Sequence, residues 1–254
     1  MSYLIHWFDT IDSTNTRILA DREDLPDRTI YAARFQTAGR GQMGNRWESR
    51  PGENLTFSIL LKPAGLEASD QFIITQVIAL GLVDYLKQKG LEATIKWPND
   101  IYVNDGKVCG TLIETILSGG LVSTAVAGMG LNMNQTDFDP SLPNPTSMTL
   151  LTGQRYDITK ELPALLDCIF RYLDQLPSPY ARNGFDAEYL ARLYRRGEWR
   201  TFEALPASEI PTEKRSGARF EARILGIDRD ARLLLERRDG TLASFGFKEL
   251  KYVI

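Results

Sequence analysis

Gly39-Arg40-Gly41-Gln42-Met43-Gly44-Asn45-Arg46-Trp47 is the stretch around which this chain is organised. Its glycines alternate with arginines, and the run ends on a tryptophan. Glycine takes backbone angles closed to other residues and allows a ligand to come close. Successive N–H groups in such a loop form a concave nest for anions. Arg40 and Arg46 add fixed positive charge in a planar fork that matches carboxylate or phosphate. Trp47 offers a flat face on which a base can stack. The plain alternative is a solvated surface loop with incidental arginines. Thr29 to Phe35 reads as a strand that delivers Gln36 and the loop at its end, which is where open sheets place ligands.

Upstream, Tyr3 to Phe8 reads as the first strand. Asp12-Ser13-Thr14-Asn15-Thr16 then precedes Ile18-Leu19-Ala20. Ser, Thr and Asn before an apolar turn are helix N-cap chemistry. The same hydroxyl and amide groups can hold a small polar ligand, and both roles are compatible.

Downstream, Asn54 to Leu61 reads as an apolar strand ended by Lys62-Pro63. Asp70 to Lys89 has the periodicity of an amphipathic helix, with Ser69 or Asp70 as its cap and Gly90 after its end. In Ile95-Lys96-Trp97-Pro98-Asn99-Asp100-Ile101-Tyr102-Val103, two short β-type runs are interrupted by a proline that cannot donate to a ladder. Asn104-Asp105-Gly106 is a hairpin turn signal leading into the strand Lys107 to Glu114. Position alone makes Lys107 a solvated edge charge. Gly110 inside that strand points to a bulge or a close approach. Ser118-Gly119-Gly120 turns into a strand from Val122 to Leu131. There Gly128 and Gly130 fit either a ligand lying against the backbone or a tight bend. Asp137 to Thr146 reads as a loop. Thr159 is the expected cap of a helix to about Leu176, followed by Pro177-Ser178-Pro179 and a helix to about Leu193. Beyond Tyr194, the runs Trp199–Phe202, Ala218–Ile227, Ala231–Glu236 and Thr241–Phe247 read as short strands of a small all-β appendage. About fifty residues is below the size at which a domain is comfortably stable alone, so it is expected to lean on the main body.

Composition narrows the classes. The chain has 254 residues, 43% of them hydrophobic and 25% charged, with a net charge of −3. That suits a globular protein with a sizeable core and gives no global basic footprint for nucleic acid. The N-terminus has no signal-peptide pattern and no stretch approaches a membrane span, so a cytoplasmic protein is expected. The only cysteines are Cys109 and Cys168, too few for a disulfide framework or a cysteine-built metal site. The single histidine, His6, removes a His-based triad or histidine-rich metal site.

Taken together, Asp12-Ser13-Thr14-Asn15, Gln36 with Gly39-Arg40-Gly41 through Trp47, Lys96-Trp97-Pro98-Asn99-Asp100, Lys107 with Gly110, and Gly128-Met129-Gly130-Leu131-Asn132 resemble the biotin–protein ligase family. They occur in the family's order and spacing, and the resemblance covers essentially the whole chain. It implies an α+β fold: a mixed β-sheet flanked by helices, as in class II synthetases, over residues 1–196, and a small Src-homology-3-like β-barrel over 197–254. It also implies the form without an N-terminal DNA-binding domain, and hence no DNA partner; no membrane partner is expected, since no apolar stretch is long enough to span one.

The resemblance further implies ATP and biotin as substrates, with Mg²⁺ accompanying the nucleotide and no protein metal ligand assigned. The partner is a biotin carboxyl carrier protein or domain, met by a monomer or homodimer. Biotin's carboxylate attacks the α-phosphate of ATP to give biotinyl-adenylate, and a carrier lysine then displaces AMP. By resemblance Lys107, Arg40 and Asp100 are catalytic. Ser13, Thr14, Asn15, Gln36, Gly39, Arg40, Gly41, Gln42, Lys107, Gly110, Gly128 and Gly130 bind biotin. Arg40, Trp47, Lys107 and Asn132 bind the nucleotide. Many members have arginine at the position of Gln42, so weaker retention of the adenylate is expected here. Equal adenylate dissociation rates for the native chain and Gln42→Arg would reject that. The alternatives are a lipoate-type protein ligase, against which the Gly-Arg-Gly loop ending in Trp47 speaks, and a non-catalytic biotin- or nucleotide-binding module. The latter has no use for charge poised at a phosphate.

Overall fold

The computed structural model describes residues 3–176, 179–205, 217–247 and 249–253. Strands β1 (Ile5–Ile11), β2 (Ile30–Gln36), β3 (Leu55–Leu61), β4 (Ala93–Lys96), β5 (Asp100–Val103), β6 (Gly106–Ser118) and β7 (Leu121–Leu131) form a seven-stranded sheet in the order β1-β2-β3-β7-β6-β5-β4. β1 and β2 are parallel, joined through helix α1 (Thr14–Asp21), and the other pairs are antiparallel. The sheet is therefore mixed, as expected. The first strand is displaced from its expected place: it begins at Ile5 and runs to Ile11, so it ends beside the cap of α1.

Helices α2 (Phe72–Gln88), α3 (Met148–Thr152), α4 (Ile158–Leu173) and α5 (Pro179–Ala191) complete the helical set among the described residues. Alternate residues of β3, namely Leu55, Phe57 and Ile59, are fully buried with Val77, Ile78 and Leu80 of α2 and Leu162, Leu165 and Ile169 of α4. This is the main core. The opposite face of the sheet carries α1 over a small cluster of Ile18, Tyr31, Leu60 and Val126.

Two capping expectations are corrected. Residues Ala68–Asp70 form a 3₁₀ turn, and the cap position of α2 is Gln71, whose side chain makes no capping bond. A helix buried this thoroughly draws its stability from packing more than from its cap. α4 is capped by Asp157, not Thr159; the Asp157 carboxylate accepts from the N–H groups of Thr159 and Lys160. Of the punctuation between α4 and α5, Pro177 and Ser178 lie outside the described residues.

The C-terminal strands β8 (Trp199–Ala204), β9 (Arg219–Ile227), β10 (Leu233–Arg237), β11 (Leu242–Phe245) and β12 (Leu250–Tyr252) form a five-stranded antiparallel sheet in the order β11-β10-β9-β8-β12. Its inward residues Phe202, Ile224, Leu233 and Phe245 belong to the same buried cluster as the main core. Trp97 ties the two sheets together: its indole N–H donates to the Ala231 carbonyl at 3.1 Å, and its ring lies 5.0 Å from that of Phe247. The appendage leans on the main body as its size requires.

Candidate active site

Strand register builds the site. Ala33, Thr56, Gly130, Gly110, Asp100 and Lys96 are paired in one row across the sheet. Tyr31, Ser58, Gly128 and Leu112 form the row two residues away. Side chains two apart on a strand share a face, so both rows face the side left open beyond α1. Three glycines fall in the middle of these rows and make a trough.

The strand geometry overturns the tight-bend reading of its glycines. β7 runs regularly through Gly128 and Gly130, so there is no tight bend. Side chains of this chain lie against them. A Cβ on Gly128 would stand 2.0 Å from Asn15 Oδ1, and one on Gly130 would stand 2.2 Å from Trp47 Cε2. Gly110 is likewise a close approach and not a bulge: its Cβ would meet Trp47 Cζ3 at 2.9 Å and Lys107 Nζ at 3.2 Å. The bulge sits beside it. Between Ile101 and Tyr102 of β5 the pairing skips from Cys109 to Lys107, leaving Val108 as the extra residue. That skip puts Lys107 opposite Tyr102, on the face of Asp100. Bulges commonly re-aim a side chain next to a site.

Lys107 is accordingly not a free edge charge. Its ammonium pairs with Asp100 at 2.7 Å and lies 5.7 Å from the Trp47 ring. Its backbone is clamped, with its N–H donating to Asn144 O at 2.8 Å and its carbonyl accepting from Thr146 N at 2.9 Å. Asn132 supports that clamp. It is buried, donates from Nδ2 to the Thr146 carbonyl at 3.0 Å, and is absent from the cleft lining.

At the other end of the trough, the start of α1 presents its cap. Ser13 Oγ accepts from Thr16 N at 3.4 Å. Gln36 Oε1 accepts from the Thr14 N–H at 2.8 Å and from its hydroxyl at 3.1 Å. Ser58 Oγ donates toward Asn15 Oδ1 at 2.5 Å and lies 2.7 Å from Thr14 Oγ1. Capping and polar display coexist here, as the sequence allowed.

The cleft between these ends is a cavity of about 210 Å³. Its lining includes Ser13, Thr14, Asn15, Gln36, Arg40, Gly41, Gln42, Trp47, Asp100, Lys107, Gly110, Gly128 and Gly130. Gly39 lines the outer side of the loop instead. Gln42 opens a short 3₁₀ turn, Gln42–Gly44, at the cleft mouth. Arg40 reaches across to Glu114, with Nη2 to Oε1 at 2.7 Å and Nη1 to Oε2 at 3.1 Å. Each of the cations Lys107 and Arg40 thus has its own carboxylate. Among the described residues, no group of three or more His, Cys, Asp or Glu is placed to hold a metal ion.

Sequence reasoning missed three participants. Ser58 stood inside an apolar run, and its period-2 offset from Phe57 was the available signal. Glu114 was read as the end of a strand. Lys96 was quoted only as part of a motif. Its ammonium lies 5.1 Å from the Tyr102 ring and 5.0 Å from the Tyr252 ring. Burial there lowers its pKa, against the pull of Asp100 and helped by Lys107. Cys109 is fully buried, and burial pushes its thiol pKa up. It is no nucleophile.

Comparison with known proteins gives this geometry a family. The model of the Biotin/lipoate A/B protein ligase family matches residues 7–132. The bifunctional ligase/repressor BirA of Bacillus spizizenii is 30% identical over 239 residues, covering 91% of this chain and 69% of that protein. The biotin–[acetyl-CoA-carboxylase] ligase of Paracoccus denitrificans is 33% identical over 196 residues, covering 74% of this chain and 80% of that one. The biotin protein ligase from Aquifex aeolicus, solved with biotin and ATP, superposes with a TM-score of 0.78 at 24% identity, covering 98% of this chain and 99% of that one, and so shares the fold. With the relatives' identity spread over most of its length, the chain belongs to the biotin–protein ligases of the biotin/lipoate A/B protein ligase family.

Proposed function

We propose that this chain activates biotin with ATP as biotinyl-5′-adenylate and transfers it to a lysine of a biotin carboxyl carrier protein. The observation that carries this reading is the pairing of opposites in one cleft. Hydroxyl and amide groups stand at the start of α1, with Arg40 beside them through Glu114, while Lys107 and a Trp47 face stand at the other end. The first suits a neutral ureido ring that both donates and accepts. The second suits a nucleotide.

In the first step, a biotin carboxylate oxygen bonds to the α-phosphorus and the bond to pyrophosphate breaks. Two anions meet, so fixed positive charge in a site that excludes water is the main requirement. Lys107 and Arg40 supply it, and the loop's N–H groups add to it. Mg²⁺ carried with ATP would neutralise the nucleotide phosphates. In the second step the carrier amine attacks the acyl carbon, AMP leaves, and the proton the amine sheds passes to Asp100. Asp100, beside Lys107, orients that amine. Gln42 leaves the loop one charge poorer than an arginine would, so the adenylate escapes sooner than from Gln42→Arg. Residues 1–196 carry this chemistry, and residues 197–254 brace Trp97 and Lys96 from outside.

Pyrophosphate exchange into ATP with Mg²⁺ tests the reading, comparing biotin, lipoate and no acid. Exchange with biotin alone is expected. Exchange with lipoate alone would move the chain to the sister branch, and none with either, from folded protein, would leave a binding module.

A further inference from the structure

The Gly39–Trp47 loop is a small hairpin closed on itself. Gly41 N–H donates to Asn45 O at 2.7 Å and Trp47 N–H to Gly39 O at 3.0 Å. Arg46 reaches back to the Thr37 carbonyl at 3.1 Å. These bonds fix the loop's shape but not its position over the sheet. Among the loop's described side chains, two cross to the sheet: Trp47, seated on Gly130 and Gly110, and Arg40, held at two points by Glu114.

Glu114 has a second partner. The Oε2 that accepts from Arg40 Nη1 also accepts from Asn15 Nδ2 at 3.0 Å. Asn15 in turn lies against Gly128 and receives Ser58. One carboxylate therefore joins the loop that carries the cation to the helix start that carries the polar cluster. A bidentate arginine–carboxylate pair fixes orientation as well as charge, and Glu114 is the more buried partner, with 25% of its side chain exposed against 45% for Arg40.

We propose that Glu114 is the positioning residue of this site: it sets the Arg40 guanidinium over the cleft, anchors the loop through it, and orients Asn15. Its bearing on catalysis rests on the ligase reading above, whereas its anchoring of the loop does not.

The test uses the full chain and two readouts. The first is amide hydrogen exchange of residues 39–47 in the native protein, Glu114→Ala, Glu114→Gln, Arg40→Gln and the Arg40→Gln/Glu114→Ala double variant. A hydrogen bond to a charged group is worth enough to speed local opening about tenfold when lost. Glu114→Ala and Arg40→Gln should therefore accelerate loop exchange equally, the double variant no further, and Glu114→Gln by less. The second readout is kcat and KM in biotin-dependent pyrophosphate exchange. Glu114→Ala should lower kcat about tenfold and raise the biotin KM. Glu114→Gln should restore the biotin KM, because its amide oxygen still accepts from Asn15, without restoring kcat. In the Arg40→Gln background, Glu114→Ala should lower kcat no further.

Unchanged loop exchange in Glu114→Ala would overturn the anchor. Losses in kcat that multiply in the double variant would overturn action through Arg40. Should Glu114→Ala not fold, Glu114→Gln carries both readouts. An inactive native protein with the expected loop exchange would sink the ligase reading and leave the anchor standing.

Discussion

The two faces of the main sheet divide the work of the molecule, and β3 shows the division within seven residues. Leu55, Phe57 and Ile59 point one way, into the core made with α2 and α4. Thr56, Ser58 and Leu60 point the other. Thr56 donates to the Ala33 carbonyl, Ser58 contacts Thr14 and Asn15, and Leu60 lies under α1. All seven residues of the strand are buried, yet the first set buries apolar side chains throughout, whereas in the second Leu60 alone is aliphatic. The second face exchanges apolar contact for polar groups and for three glycines on which Asn15 and Trp47 can lie. Burial alone therefore does not separate stability from chemistry; the period-2 alternation does.

The largest contrast should come from substitutions on opposite sides. Phe57→Ala removes a fully buried ring from the helix-covered face and should cost about 3–5 kcal/mol in denaturant unfolding. A loss under about 1 kcal/mol would break the comparison, since core truncations of this kind cost several times that. Lys107→Gln, on the cleft face, should do the reverse. Removing a preorganised charge from a reacting anion lowers exchange activity about 10²–10³-fold, while loss of this partly exposed pair shifts stability by about 1 kcal/mol. If activity and stability fell together, the cleft face would be structural after all.

Gly130→Ala should have an intermediate effect. Its Cβ would stand 2.2 Å from Trp47, so the indole must leave its seat. Nucleotide binding should weaken by about 1–3 kcal/mol, the worth of an aromatic–base stack, with biotin binding retained and tryptophan fluorescence shifted toward that of an exposed ring. Equal loss of both ligands would mean the trough had collapsed. The smallest effect sharpens the contrast with matched helix caps. Asp157→Ala at α4 and Ser13→Ala at α1 should each cost about 1 kcal/mol. Only the second should raise the biotin KM in pyrophosphate exchange. If both raise it, or neither does, the cap of α1 has no role beyond its helix.

The regular elements were readable because local rules govern them. The apolar period of α2, the Asn104-Asp105-Gly106 turn and the Ser13 cap all lie within one turn or hairpin of the residues that cause them. The errors arose where one local rule competed with another. Thr159 and Asp157 are both capping residues two positions apart, and only the carboxylate of Asp157 reaches two N–H groups. Ser69 and Asp70 carry capping chemistry, but their residues sit in a 3₁₀ turn ahead of the helix. The site residues that carried a motif were named from it. Glu114 and Ser58 carried none, because their partners lie 74 and 43 residues away in the chain.

By itself the sequence determined most of the strands and helices, the family motifs whose resemblance implied the α+β fold, and the residue types that chemistry on an anion requires, because hydrophobic period, turn residues and charge are local properties. Only the tertiary structure decided which of those residues meet. Strict alternation from Gly110 would have put Lys107 on the far face. The one-residue skip at Val108 turns it to Asp100 and the cleft. That skip is set by pairing against β5, and a chain read one residue at a time carries no record of what its neighbouring strand requires.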